Sequence, residues 1–174
     1  MSKIYLGIDQ SYTSSGYCLF KDDEMFDCGL IKTDKKLDIF QRSWNIAHEL
    51  QRICMHNNVE SVGIEGLAFG IRGSATRDLA GLQFTIINKL QIDNGLPVKI
   101  IAPLTLKKFA TGDGRAKKEQ LFEQVPTHII EQFQELGAKK TTGLFDLVDS
   151  YFIGKYIIEE DNPKNVDKKT VKKG

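Results

Sequence analysis

No stretch of this sequence is apolar for long enough to cross a membrane, which needs about 18 consecutive apolar residues. The first residues also lack a basic segment followed by an apolar region, the pattern of a secretory signal. Both absences favour a soluble protein, and we expect it to act in the cytoplasm.

Cysteine is scarce. Cys18, Cys28 and Cys54 are odd in number and far apart, which argues against a disulfide framework or a zinc site built on paired cysteines. We therefore expect reduced, mostly buried thiols.

The chain is also short. Its 174 residues suit one domain with a substantial core and cannot supply two full nucleotide-binding lobes. We predict one domain over residues 1–160, followed by a lysine-rich tail, 161–174.

The formal net charge of +1 shows almost no excess of either sign, but the basic residues are unevenly placed. Positions 99–118 contain only one acid, Asp113, and six basic residues: Lys99, Lys107, Lys108, Arg115, Lys117 and Lys118. A polyanion partner such as DNA fits this clustering, and the alternative is an ordinary solvated surface rich in lysine.

The first informative segment of the sequence is residues 4–20. An apolar run ends on Asp9 where small polar residues begin, and a second apolar run starts at Gly16. This pattern predicts an antiparallel hairpin with Asp9 at the rim of a sheet. Taken alone, the segment is more typical of a hairpin with an ordinary turn aspartate.

Glu65 is the second carboxylate in an unusual place, because it ends an apolar strand predicted over residues 59–65 in the middle of the sheet. Burying a glutamate without a partner costs several kcal/mol, so this position needs a cation, a hydrogen-bond donor or water.

Other elements follow from periodicity. A third strand over 25–31 completes a meander, and 97–101 is a short strand. Helices are predicted over 38–56, with Phe40 and Trp44 on the face that packs on the sheet, and over 74–94, with Ser74 as N-cap. The helix over 74–94 is either buried in the core or shared with a second subunit, because its small residues would allow another helix to approach closely. Pro103 fits the first turn of a short helix, and Pro126 should interrupt a later one.

The last predicted helix runs from about residue 141 to 159 and carries Asp146 and Asp149, which fall on one face at a spacing of three. Two like charges beside apolar residues repel each other unless a cation lies between them. If this helix packs beside the first strand, Asp9, Glu65, Asp146 and Asp149 converge. A site of hard oxygen ligands suits Mg²⁺ or Mn²⁺, and two such ions about 4 Å apart serve phosphoryl transfer.

Together these features resemble the RuvC family of Holliday junction resolvases, in the ribonuclease H-like superfamily, and the chain looks like a small phage-type member. The resemblance covers residues 3–156 and rests on four blocks in the family's order: Gly7-Ile8-Asp9, Ile64-Glu65, Thr111-Gly112-Asp113-Gly114-Arg115-Ala116-Lys117-Lys118, and Asp146-Leu147-Val148-Asp149-Ser150.

The resemblance implies a ribonuclease H-like α/β fold: a mixed five-stranded sheet, made of an antiparallel meander and two parallel strands, flanked by helices. It further implies a homodimeric, Mg²⁺-dependent endonuclease that nicks opposed strands of four-way and branched DNA in recombination and repair, leaving 5′-phosphate ends. Two ions per site are expected, with Mn²⁺ as a substitute, and no branch-migration motor is implied. A phage-encoded enzyme would act in the host cytoplasm.

By the same resemblance, Asp9, Glu65, Asp146 and Asp149 are the metal-binding catalytic acids, and Lys118 is the lysine near the scissile phosphate. The expected DNA contacts are Phe69, Arg72, Lys107, Lys108, Arg115, Lys117 and Lys118. Family members commonly carry an aromatic wedge three residues after the strand-ending glutamate. Here that position is Ala68, and Phe69 follows it.

Two alternatives differ in kind. An actin-like or sugar-kinase-like ATPase has a similar phosphate hairpin, but it needs a second lobe. A non-catalytic junction-binding module would keep the fold without the chemistry, and the presence of all four acids argues against it.

Overall fold

A computed structural model describes residues 2–67 and 73–163, and within them five strands form one sheet in the order β3-β2-β1-β4-β5. β1 pairs antiparallel with β2, which pairs antiparallel with β3, while β1–β4 and β4–β5 are parallel. This confirms the predicted mixed sheet. The bounds are β1 Ile4–Asp9, β2 Ser15–Lys21, β3 Glu24–Ile31, β4 Ser61–Glu65 and β5 Val98–Ile101.

Six α-helices are described. They are α1 Ile39–His56, α2 Ser74–Ile87, α3 Pro103–Thr111, α4 Lys118–Glu123, α5 Thr127–Glu135 and α6 Leu144–Asp161. A π-helical turn, Asn88–Ile92, continues α2. In the described part of the chain, no helix combines the length and apolar character needed to span a bilayer.

Helix ends follow the local chemistry at the start of α1 and between α4 and α5. Asp38 caps α1 in a capping box with Gln41, in which Gln41 N donates to Asp38 Oδ1 at 2.8 Å. Pro126 lies between α4 and α5, as predicted. The prediction of Ser74 as an N-cap is wrong: Gly73 occupies the cap of α2, and Ser74 is the first helical residue.

The buried face of α1 also differs from the prediction. Phe40 is 81 % exposed and Trp44 54 % exposed, while Ser43 is buried. The Ser43 hydroxyl lies 2.6 Å from the Tyr12 hydroxyl, and the Arg42 side chain donates to the Tyr12 carbonyl. This polar network directs position 43 inward, so the two aromatic residues lie outside the sheet-facing stripe.

The sheet separates two apolar cores. Alternate residues of β1, Leu6 and Ile8, pack with α1 and α2 on one face. Tyr5 belongs to the other face, where α3, α4 and α5 surround α6. All three cysteines are buried and unpaired, in agreement with the expectation from their spacing.

Glycines in the strands allow α6 to lie directly on the sheet. A Cβ atom on Gly7 would stand 2.1 Å from the Ser150 carbonyl oxygen and 2.6 Å from Gly154 N, and one on Gly16 would stand 2.5 Å from the Asp146 carbonyl oxygen. These are backbone atoms, so a side chain at either position would force the helix away. The close approach of α6 therefore depends on Gly7 and Gly16.

Gly7→Ala is expected to destabilise the fold strongly, because α6 must shift to admit the methyl group. Overpacking costs about 1–3 kcal/mol and about 1 kcal/mol lowers Tm by about 2–4 °C in a chain of this size, so Tm should fall by several degrees. Gly81→Ala on α2 is the contrasting substitution: its Cβ meets nothing within 4 Å, so Tm should stay level or rise, because alanine favours a helix over glycine. Equal thermal melting curves for Gly7→Ala and wild type would contradict this packing.

Candidate active site

Strand alternation brings Asp9 and Glu65 to the α6 face. Side chains two residues apart point to the same side of a sheet, so Asp9 follows Gly7 and Glu65 follows Gly63 toward α6. β1 and β4 are parallel with Ile8 opposite Ile64, so the two acids end neighbouring strands at the same edge.

α6 supplies Asp146 and Asp149. Carboxylate oxygens of Asp9, Glu65 and Asp149 all lie within 4.8 Å of one another. Asp146 lies in the first turn of α6, where the helix dipole favours a negative charge, and it interacts directly with Asp9. The structure thus brings the four predicted carboxylates together.

The acids line a cleft of about 480 Å³. Two of the predicted basic residues also line it, Lys107 from α3 and Lys118 from the start of α4. The Lys118 ammonium lies 5.9 Å from the centre of the Phe145 ring. The cleft therefore has an acidic cluster and a basic wall, which suits a phosphate held beside metal ions.

Three other predicted DNA contacts do not line this cleft. Lys108, Arg115 and Lys117 are exposed on or near α3 and α4. Phe69 and Arg72 lie outside the described residues, so their predicted roles stay predictions.

The glycines before α4 have local structural roles. Gly112 ends α3 in the left-handed conformation with φ 84°, and a Cβ on Gly114 would stand 3.2 Å from the Leu104 carbonyl oxygen.

Two glutamines were not predicted as part of the site. Gln10 lines the cleft next to Asp9, and Gln83 lies on α2. Both side-chain amides donate to the Glu65 carbonyl oxygen at 2.8 Å. A polar residue directly after Asp9 was a weak signal for Gln10, whereas Gln83 lies inside a predicted helix, away from every motif, and had none.

The family model of "Crossover junction endodeoxyribonuclease RuvC" matches residues 5–141 of this chain. The chain belongs to the RuvC family. Among curated RuvC proteins, that of Synechococcus sp. WH7803 is 30 % identical over 124 residues, which are 69 % of this chain and 79 % of the relative. RuvC of Sulfurovum sp. NBC37-1 is 26 % identical over 152 residues, 85 % of this chain and 90 % of the relative.

Three solved structures share the fold. Thermus thermophilus RuvC superposes with a TM-score of 0.69 at 17 % identity, covering 91 % of this chain and 95 % of that one. T. thermophilus RuvC in complex with a Holliday junction substrate gives 0.69 at 19 %, covering 88 % and 91 %. The yeast mitochondrial Holliday junction resolvase Ydc2 gives 0.64 at 14 %, covering 88 % and 77 %.

The range matched by the family model covers only two of the four acids. The matched range includes Asp9, Glu65 and Lys118 but ends before α6 begins. The case for Asp146 and Asp149 therefore depends on the geometry that places them beside Asp9.

For each of the four acids, burial is the largest cause of a raised pKa. The pKa of Asp9 is well above its usual range because the carboxyl is buried and faces Asp149, Glu65 and Asp146. Burial and then the charge of Glu65 raise the pKa of Asp149 to about 7. Lys118 opposes both shifts. Without metal the cluster thus retains protons near neutral pH, and a bound cation would displace them.

Asp149→Asn is expected to raise the Tm of the metal-free protein more at pH 8 than at pH 5. An Asp with an ordinary pKa of about 3.9 when unfolded is already ionised at pH 5. The folded group, with a pKa of about 7, binds more protons than the unfolded group across this interval. Stability therefore falls as pH rises from about 4 to about 7.

The asparagine removes this pH-dependent cost. Thermal melts with a metal chelator measure the gain at both pH values, and Glu159→Gln, an exposed acid on the same helix, is the control. An Asp149→Asn variant whose Tm gain is the same at pH 5 and pH 8 would contradict the assigned shift.

Proposed function

We propose that this chain is a structure-specific endonuclease that resolves Holliday junctions and related branched DNA by metal-dependent paired nicking. One observation carries the proposal: four carboxylates converge beside Lys107 and Lys118 in a chain of the RuvC family. The RuvC that matches this fold in complex with a Holliday junction substrate supports the choice of substrate.

The donor set fits a hard divalent cation. Asp9, Glu65 and Asp149 offer only carboxylate oxygens, all within 4.8 Å of one another. Three carboxylates at this separation would hold a hard divalent cation after small side-chain rotations. We propose Mg²⁺ as the physiological metal, two ions per site, with Asp146 completing the ligands and Mn²⁺ as a substitute.

Bound ions of this kind activate water and stabilise the leaving oxygen in phosphoryl transfer. The protein's own contribution is to hold the acids in place on two strand ends and one helix. We propose that Lys118, at the mouth of the cleft, pairs with the non-bridging oxygens of the scissile phosphate, and that Lys107 contacts a phosphate nearby. The leaving group is the 3′ oxygen, so the nicked ends carry 5′-phosphate and are ligatable.

We also propose a homodimer, since paired nicks on opposed strands require two sites related by a two-fold axis. The small residues Ala75 and Gly81 of α2 are exposed, which leaves this face available to a second subunit. Sedimentation at micromolar concentration should show a dimer. A chain that stays monomeric on junction DNA would contradict this proposal.

The cellular setting proposed is the cytoplasm, where bacterial and phage DNA recombines. A phage origin would make it the cytoplasm of the host.

Nicking of synthetic DNA tests the function. The protein is incubated with Mg²⁺ and a four-way junction, a three-way junction, a flap, a linear duplex or an RNA–DNA hybrid. We expect symmetric nicks in opposed strands of the junction, ends that DNA ligase reseals, and little cutting of the duplex. Binding of the junction without any nicking would instead support a non-catalytic module, and preferential cutting of the hybrid would replace the proposed substrate.

A further inference from the structure

The main-chain carbonyl of Glu65 is held by two buried side chains. Gln10 Nε2 and Gln83 Nε2 each donate to it at 2.8 Å, and the two residues are only 8 % and 6 % exposed. One carbonyl oxygen has two lone pairs, so these two bonds satisfy it completely.

The two amide hydrogen bonds lie just beyond the end of the pairing between β1 and β4. The parallel register between β1 and β4 ends at Ile8 opposite Ile64, one residue before the acids. On the other side, Gly66 N donates to the Ile101 carbonyl oxygen at 2.7 Å and holds the end of β4 to β5. On the β1 side of Glu65, the glutamine side chains supply the connection that the ladder lacks.

The orientation of Gln10 is fixed by its partner. A carbonyl oxygen can only accept a hydrogen bond. The NH₂ group of Gln10 must therefore face Glu65, and its Oε1 must point elsewhere. Oε1 is buried and has no hydrogen-bond partner among the described residues. An unpaired buried acceptor is destabilising, so the Gln10 amide adds little net stability, and its effect falls on the position of Glu65.

We propose that Gln10 and Gln83 are positioning residues that set the Glu65 carboxylate for metal binding, an inference that rests on the proposed function. Gln10 directly follows Asp9, so its bond fixes the separation of the two strand-ending acids. Gln83 reaches Glu65 from α2, which packs on the opposite face of the sheet from α6. Mg²⁺ demands near-ideal octahedral geometry, so a small movement of this ligand weakens binding.

The test uses Gln10→Met and Gln83→Met, which keep an unbranched side chain of similar length and remove the amide. Gln132→Met, on the exposed side of α5, is the matched control. Each protein is measured in three ways: Mn²⁺ affinity by calorimetry without DNA, Tm with a chelator, and nicking of a four-way junction as a function of Mg²⁺ concentration.

We expect Mn²⁺ affinity to fall about 10-fold in each variant, as is usual when a group that orients a metal ligand is lost. The Mg²⁺ concentration for half-maximal nicking should rise by a similar factor, and saturating Mg²⁺ should restore most of the rate. The Tm of Gln10→Met should stay close to wild type, because the substitution also removes the unpaired Oε1. Gln132→Met should match wild type in all three.

Wild-type Mn²⁺ affinity and Mg²⁺ dependence in both variants would overturn the positioning role. So would a loss of Tm and of rate at saturating Mg²⁺ with unchanged metal affinity, which is the result expected of residues that only support the fold. A wild-type protein that binds no Mn²⁺ and cuts no junction would overturn the proposed function and this role with it. A wild type that binds and cuts, beside variants that match it, would overturn the role of the glutamines alone.

Discussion

Glu65→Gln and Asp146→Asn are each expected to reduce junction nicking by orders of magnitude. Removing one group that stabilises charge in a transition state costs about 10²–10³ in rate, and loss of a metal ligand acts on the same step. Both substitutions keep the shape of the side chain and remove its charge, so the fold should be retained.

Binding of the junction should behave differently from cleavage. The clustered acids face the cleft and repel the phosphate backbone when no metal is bound, so removing one charge relieves part of that repulsion. We expect gel-shift affinity in Ca²⁺ to stay level or tighten while the nicking rate in Mg²⁺ falls. The metal-free Tm should stay level or rise.

Glu159→Gln is the control for these variants, because Glu159 is an exposed acid on α6 and does not line the cleft. It should bind and nick like wild type. A near wild-type nicking rate in Glu65→Gln or Asp146→Asn would remove that residue from the site, and the same result in both would leave the metal site without support.

The second large effect is expected from the lysines of the cleft. Lys118→Ala should reduce the nicking rate by about 10–100-fold while binding changes little, because a charge beside the reacting phosphate acts mainly on the transition state. Gel-shift affinity and single-turnover nicking on the same junction separate the two effects.

Lys107→Ala combined with Lys108→Ala should show the reverse pattern. Each lost phosphate contact lowers the slope of log affinity against log salt by about 0.9, so the pair should weaken binding and flatten that slope. Lys107 lines the cleft and Lys108 does not, so Lys107 should account for any part of the effect that reaches the nicking rate. Lys35→Ala, exposed between β3 and α1, is the control.

If the Lys118 and Lys107/Lys108 variants both bound and cut like wild type, this surface would not contact DNA. If Lys118→Ala lost binding and rate in equal measure, Lys118 would be an ordinary phosphate contact.

Local patterns in the sequence predicted much of the fold. Alternation along β1 and β4 located two strand ends, and a spacing of three on α6 placed Asp146 beside Asp149. These predictions succeed because an acid that ends an apolar strand is unfavourable unless something binds it, and that conflict is visible without coordinates.

Features that depend on packing between distant segments were not predicted. Periodicity placed Trp44 on the sheet-facing side of α1, but the inward Ser43, bonded to Tyr12, shifts that face. The contact of Gly7 with Ser150 requires knowledge of how closely α6 approaches the sheet. Each of these is a tertiary relation between residues that have no local signal for one another.

We propose that Asp9, Glu65, Asp146 and Asp149 hold the divalent metal that this chain needs to cut DNA. Anomalous diffraction from crystals soaked in Mn²⁺ tests it most directly, at a concentration that supports nicking in solution. We expect anomalous peaks in the cleft, bonded to the carboxylates of Asp9 and Glu65 and of at least one α6 aspartate, with the peaks weakened or lost in Asp146→Asn. A cleft without Mn²⁺ under conditions in which the same protein cuts junctions would contradict it.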